Sequence, residues 1–112
     1  MQDLMGEMTL KRNLLNLALD QAKKRGVELA QKECAYKRAN ANFLLEQKTK
    51  GTAITLIREL ALGDKLVSQL RLERDIAVVM YDSAKEATLS YKLELRLIEA
   101  QIEREWNSGG RE

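Results

Sequence analysis

Leu15, Ala22, Leu29, Tyr36 and Phe43 recur every seven positions in the first half of the chain. Leu19, Gly26, Val27, Ala30, Cys34, Ala41 and Leu44 widen that stripe on one side. Gln21, Lys24, Arg25, Glu28, Gln31, Lys32, Arg38 and Asn42 fall on the other side. Apolar residues returning at this interval mark one face of an α-helix. The pattern predicts a first helix over about 9–48, with Thr9 as its N-cap. Residues 1–8 carry no such period and are expected to be a disordered N-terminal segment. Gly26 costs roughly 1 kcal/mol against Ala inside a helix. Its place on the apolar side predicts the close approach of another helix there.

The second half repeats the pattern. Leu70, Ala77, Ala84, Tyr91 and Ile98 recur at sevens, and Leu66, Met80, Ala87, Leu95 and Ile102 fill the alternate positions of that seam. They predict a helix over about 65–106, followed by a flexible tail over 107–112. A second line lies on the same helix. Leu72, Val79, Leu93 and Ala100 fall on one heptad register, interrupted by Glu86, and Ile76 and Leu97 lie between the two lines. One sector, with Arg71, Asp75, Asp82, Lys85, Lys92, Arg96, Glu99 and Glu103, stays polar.

Between the long helices runs "GTAITLIRELALGDK", residues 51–65. Leu56, Ile57, Leu60 and Ala61 follow the i, i+1, i+4, i+5 spacing of a short helix with one apolar edge, predicted over about 55–62. Thr52 or Thr55 can cap its start, Gly63 can take the left-handed conformation at its end, and Asp64 can cap the next helix. This short helix is expected to fold across the end of the hairpin as a cap. If Thr55, Arg58 and Glu59 face outward, the same helix can also serve as a docking surface for a partner; the sequence leaves the choice between a docking surface and an end cap alone open.

Two helices of about forty residues, each spanning roughly 60 Å, with a short connector predict an all-α antiparallel hairpin in a single domain over 9–106. One partner helix covers one seam, so the second line requires another partner. Leu72, Ile76, Val79, Leu93 and Leu97 are therefore candidate oligomer contacts, and a homodimer forming a four-helix bundle is expected.

Composition agrees with long helices. The 112 residues include no Pro, no His and one Cys, and 32% are charged with a net charge of +2. Residues 1–50 carry ten Lys and Arg against six Asp and Glu, whereas residues 51–112 carry nine against eleven, so a basic helix is set beside an acidic one. The opening "MQDLMGEMTLKR" places acids where a signal peptide needs bases. The longest apolar run, "IAVVMY" at 76–81, is too short to span a bilayer. A cytoplasmic protein with no membrane association is expected.

Catalysis is not expected. Without His there is no Ser-His-Asp or Cys-His arrangement. Cys34 lies on the apolar side and reads as a buried small hydrophobe. Glu99 and Glu103 share a face, but a bundle metal site normally needs Glu-x-x-His units, and the chain has none. No Gly-rich phosphate loop occurs. No cofactor and no metal are therefore expected. Lys24, Arg25, Lys32 and Arg38, with Arg58 in the connector, form a candidate partner-binding or nucleic-acid-binding set. A basic line can track phosphates, but Glu28 interrupts it and no aromatic side chains interleave to stack on bases.

The connector "TAITLIRELALGDK" and the segment around Tyr81, Asp82, Ala84 and Lys85 resemble a group of short helical proteins encoded by phages and prophages of Gram-positive bacteria. The resemblance covers about residues 9–106. It implies a phage context and a non-enzymatic role. The leading expectation is an inhibitor or adaptor in the bacterial host cytoplasm, with a host or phage protein of DNA metabolism or host defence as partner. It supplies no catalytic residues. Secreted Trp-x-Gly helical hairpins have a similar size, but the turn here has no Trp, and Trp106 lies near the far end with "NSGG" after it. The alternatives to a protein-binding inhibitor or adaptor are an accessory nucleic-acid-binding protein and a structural assembly component.

Overall fold

The computed structural model describes residues 2–109, in which the chain forms helices α1 (Gln2–Thr49), α2 (Ile54–Gly63) and α3 (Lys65–Gly109). The described residues contain no strand. Helix α1 ends in a motif written by one glycine. Gly51 has φ +77, the only positive φ among the described residues. The Gly51 N–H donates to the Lys48 carbonyl and the Thr52 N–H to that of Gln47, both at 3.1 Å. These paired bonds close a Schellman turn, whose left-handed residue favours glycine because it has no Cβ. Asp64 begins α3 as its N-cap: Oδ2 accepts from the Val67 N–H at 3.0 Å.

The residues group into two compact units. The connector unit, Arg25–Tyr81, holds the later part of α1, all of α2 and the start of α3. Within it α1 and α3 run antiparallel: Gly26 faces Tyr81, Lys32 faces Glu73, and Leu44 shares a groove with Val67. Ile57, Ala61, Val67 and Ala77 are its buried apolar side chains. A Cβ on Gly26 would lie 3.4 Å from Tyr81 Cε1, which is ordinary van der Waals distance. The expected close approach of a helix is thus not what Gly26 serves: the end of the Tyr81 ring packs there, and an added methyl group would fit against it.

The terminal unit combines the chain up to Lys24 with the chain from Asp82 onward. It is also an antiparallel pair. Lys11 faces Glu94, and Met5 lies beside Ile102 and Trp106. Leu95 and Ile98 are buried, and so is Thr88, whose hydroxyl donates to the Ala84 carbonyl at 3.1 Å. That bond satisfies a polar group inside an apolar seam.

Several expectations are corrected. Residues 2–8 are helical, and Thr9 lies inside α1, where its hydroxyl bonds the Met5 carbonyl rather than capping a helix. Residues 107–109 continue α3; the rest of the expected tail, 110–112, and Met1 lie outside the described residues. The N-cap of α2 is Ala53 without a side-chain bond, because Thr52 turns its hydroxyl to Gln47 Oε1 and Thr55 lies within the helix. The left-handed glycine is Gly51, not Gly63. Leu56 and Leu60 are exposed, so only Ile57 and Ala61 form the inward edge of α2.

The inner line of α3 is also shifted by one residue. Leu66, Met80 and Ala87 are exposed, whereas Val67, Arg74, Tyr81 and Thr88 are buried or half-buried. Together with Leu70, Ala77, Ala84, Tyr91, Leu95, Ile98 and Ile102 they give the alternating three- and four-residue steps of a helix–helix seam. Arg74 fits this seam because its guanidinium lies over the Tyr36 ring, 4.7 Å from the centroid.

Candidate functional site

The second line on α3 is apolar and uncovered. In the connector unit, Leu72, Ile76 and Val79 are 52%, 53% and 62% exposed. In the terminal unit, Leu93 and Leu97 are 57% and 63% exposed. The physical cause is geometric. The inner seam turns Leu70, Ala77, Ala84, Tyr91 and Ile98 toward α1, and residues two and six positions beyond each of them necessarily point elsewhere. Isolated exposed leucines are ordinary, but Leu72, Ile76 and Val79 cluster on one side of α3 in the connector unit and Leu93 and Leu97 do so in the terminal unit, with Ser83, Glu86 and Ser90 between the two clusters in the sequence.

Further exposed apolar residues lie on the other helices. Leu17 in the terminal unit and Leu45, Ile54, Leu56, Leu60 and Leu62 in the connector unit are all exposed. Leu45 and Ile54 line a groove of about 520 Å³ between α1 and α2, where Lys48 and Arg58 also lie. Sequence reasoning passed over Leu17 and Leu45 because neither falls on the main heptad. Their signal is that they share a second register with Leu10, and Leu10 is exposed too.

The basic candidates do not form one uniform face. Lys24 and Arg38 are exposed, whereas Arg25 and Lys32 are half-buried. Arg25 Nη1 lies 3.2 Å from Glu28 Oε2, and Lys32 Nζ lies 3.9 Å from Glu73 Oε2 on α3. Arg38 Nη2 lies 4.0 Å from Cys34 Sγ. Arg58 is exposed on α2, as are Thr55 and Glu59. Cys34 is exposed rather than buried, because it sits on the flank of α1 away from the inner seam.

In the terminal unit, Lys11 Nζ lies 3.0 Å from Glu94 Oε2. Hydrogen bonding to Glu94 holds the Lys11 ammonium above its ordinary pKa. Desolvation opposes this, and the charges of Glu94, Glu7 and Tyr91 add to it. Among the described residues no group of three or more His, Cys, Asp or Glu side chains is placed to hold a metal ion. No described helix is long and apolar enough to cross a membrane. Comparison with known proteins gives no match to a family model, to a curated protein or to a solved structure.

Proposed function

We propose that this chain is a non-enzymatic interaction protein that works as a homodimer and binds a macromolecular partner as an inhibitor or adaptor. The observation that carries the reading is the uncovered line Leu72, Ile76, Val79, Leu93 and Leu97. Fully burying such a side chain is worth roughly 1.5–3 kcal/mol, so covering half-exposed ones yields about 1 kcal/mol each. Two copies supply that gain from both sides, against an association cost of about 4–15 kcal/mol. A second hairpin laid on the line completes a four-helix bundle. The bundle then presents rigid surfaces to a protein of DNA metabolism or host defence in a phage-infected bacterial cytoplasm.

The nucleic-acid alternative has less support. Arg25 and Lys32, half of the basic set on α1, meet glutamates of the same chain. Ion pairs of this kind reduce the positive potential available to phosphates.

Light scattering at micromolar concentration tests the dimer. The wild type is expected at twice the chain mass, and Val79→Glu with Leu93→Glu is expected to abolish that species. A monomeric wild type overturns the reading. Binding of the wild type to single-stranded DNA at physiological salt, lost when Lys24, Arg25, Lys32 and Arg38 are all changed to Ala, promotes the nucleic-acid alternative instead.

A further inference from the structure

We infer that the second copy lies antiparallel along α3, in a register fixed by Asp75 and Arg96. This rests on the homodimer reading and adds the geometry of its contact. All the positions involved belong to the one helix Lys65–Gly109.

From Leu72 the exposed line advances by four and three residues alternately. It is apolar at Leu72, Ile76 and Val79, polar at Ser83, Glu86 and Ser90, and apolar again at Leu93 and Leu97. All of these side chains are exposed. A line with apolar ends and a polar middle matches its own reverse. Antiparallel helices place one core line of a copy against the other core line of its partner. In the matching register, Leu72 meets Leu97 of the partner subunit and Ile76 meets Leu93 of the partner subunit. Val79 then meets Ser90 of the partner subunit, and the Ser83 hydroxyl can donate to Glu86 of the partner subunit near the two-fold axis. A shift by one heptad in either direction sets Leu93 against Gln69 or Ser83 of the partner subunit.

A parallel dimer in register is poorer. It sets Glu86 directly against Glu86 of the partner subunit in the polar middle of the line, where like charges repel, whereas the antiparallel register sets each Glu86 against a Ser83 hydroxyl.

The flanking charges select the same arrangement. Positions beside the core set the orientation of paired helices through their charges. The antiparallel register brings Asp75 beside Arg96 of the partner subunit, twice by symmetry. Asp75 is exposed, and its Oδ1 accepts from Arg74 Nε at 2.7 Å. A carboxylate has a second oxygen to offer, and Arg96 is exposed. On the opposite flank Glu73 approaches Glu94 of the partner subunit. Each of these is already matched by a lysine of α1, Lys32 and Lys11 respectively.

Single-cysteine crosslinking in a Cys34→Ser background tests the register. Leu72→Cys mixed with Leu97→Cys is expected to form a disulfide-linked dimer under mild oxidation, while each variant alone is not. A Leu72→Cys protein that crosslinks to itself overturns the antiparallel register, and so does a dimer that crosslinks in neither case. A monomeric Cys34→Ser protein by light scattering overturns the homodimer reading as well, which separates the two failures. Charge reversal gives a second readout that does not depend on oxidation. Asp75→Arg and Arg96→Asp are each expected to weaken dimerisation roughly tenfold at low salt, and the double variant to recover most of it. Absence of recovery in a double variant whose helix content is intact overturns the register.

Discussion

The guanidinium of Arg74 lies over the ring of Tyr36, 4.7 Å from its centroid, at a seam position where an aliphatic residue is the usual occupant. The ring face attracts the cation, and the aliphatic stem of Arg74 covers apolar surface beside it. Arg74→Ala is expected to destabilise the protein by about 1 kcal/mol. Arg74→Met, which keeps the stem, is expected to cost less. A double-mutant cycle with Tyr36→Leu, measured by urea unfolding at one fixed protein concentration, checks this. A coupling near zero removes the stacking explanation.

Gly51 and Gly63 are expected to respond oppositely to alanine. Gly51 holds φ +77, a conformation costing an L-residue roughly 1–2 kcal/mol. Gly63 is helical, and nothing lies within 4 Å of where its Cβ would sit. Gly51→Ala is therefore expected to destabilise by about 1 kcal/mol, and Gly63→Ala to be neutral or to stabilise by up to about 1 kcal/mol. Thermal unfolding followed by circular dichroism gives the sign of each.

The pair Lys11 and Glu94 makes a prediction in pH. A pKa raised in the folded state means that the protonated ammonium favours folding. That contribution is complete below the ordinary lysine value of 10.5 and is lost as pH rises through the folded-state value. Lys11→Met is expected to melt below the wild type by a similar margin at pH 7 and pH 9. The margin is expected to close above pH 10.5. A margin that shrinks between pH 7 and pH 9 contradicts this assignment.

Asp64 is expected to matter more than Thr52. Asp64 satisfies the Val67 N–H at the start of α3, and loss of such a cap costs about 0.5–2 kcal/mol. The Thr52 hydroxyl, the group that Thr52→Ala removes, bonds the Gln47 side chain and caps no helix. Asp64→Asn is expected to retain most of the stability that Asp64→Ala loses. Equal urea midpoints for Asp64→Ala and Thr52→Ala would show that the cap contributes little.

The heptad of Leu70, Ala77, Ala84, Tyr91 and Ile98 was legible because each member is apolar or aromatic. Its companion line was not, because Arg74 and Thr88 are polar and meet their needs locally, on Tyr36 and on the Ala84 carbonyl. Leu66, Met80 and Ala87 drew the reading one residue aside, since α3 is apolar over much of its circumference. The excess apolar line at Leu72, Ile76, Val79, Leu93 and Leu97 could be read by counting faces. The splitting of the basic stripe could not be read in advance. Whether Lys32 meets Glu73 depends on the axial register of two helices, which periodicity alone leaves open.

The Schellman turn at Gly51 also bears on the order of assembly. It reverses the chain so that Leu44 and Ile57, close in sequence, meet early at small entropic cost. Lys11 and Glu94 are about 80 residues apart, so in an open chain their loop closes at a higher cost. Contacts near the reversal shorten that loop for each pair further out, so helix pairing is expected to advance from the turn toward the two chain ends. Pulse-labelled amide exchange during refolding should report this as protection that appears first near the turn and later toward the chain ends. A change at Gly51 should slow folding more than an equally destabilising change near Lys11.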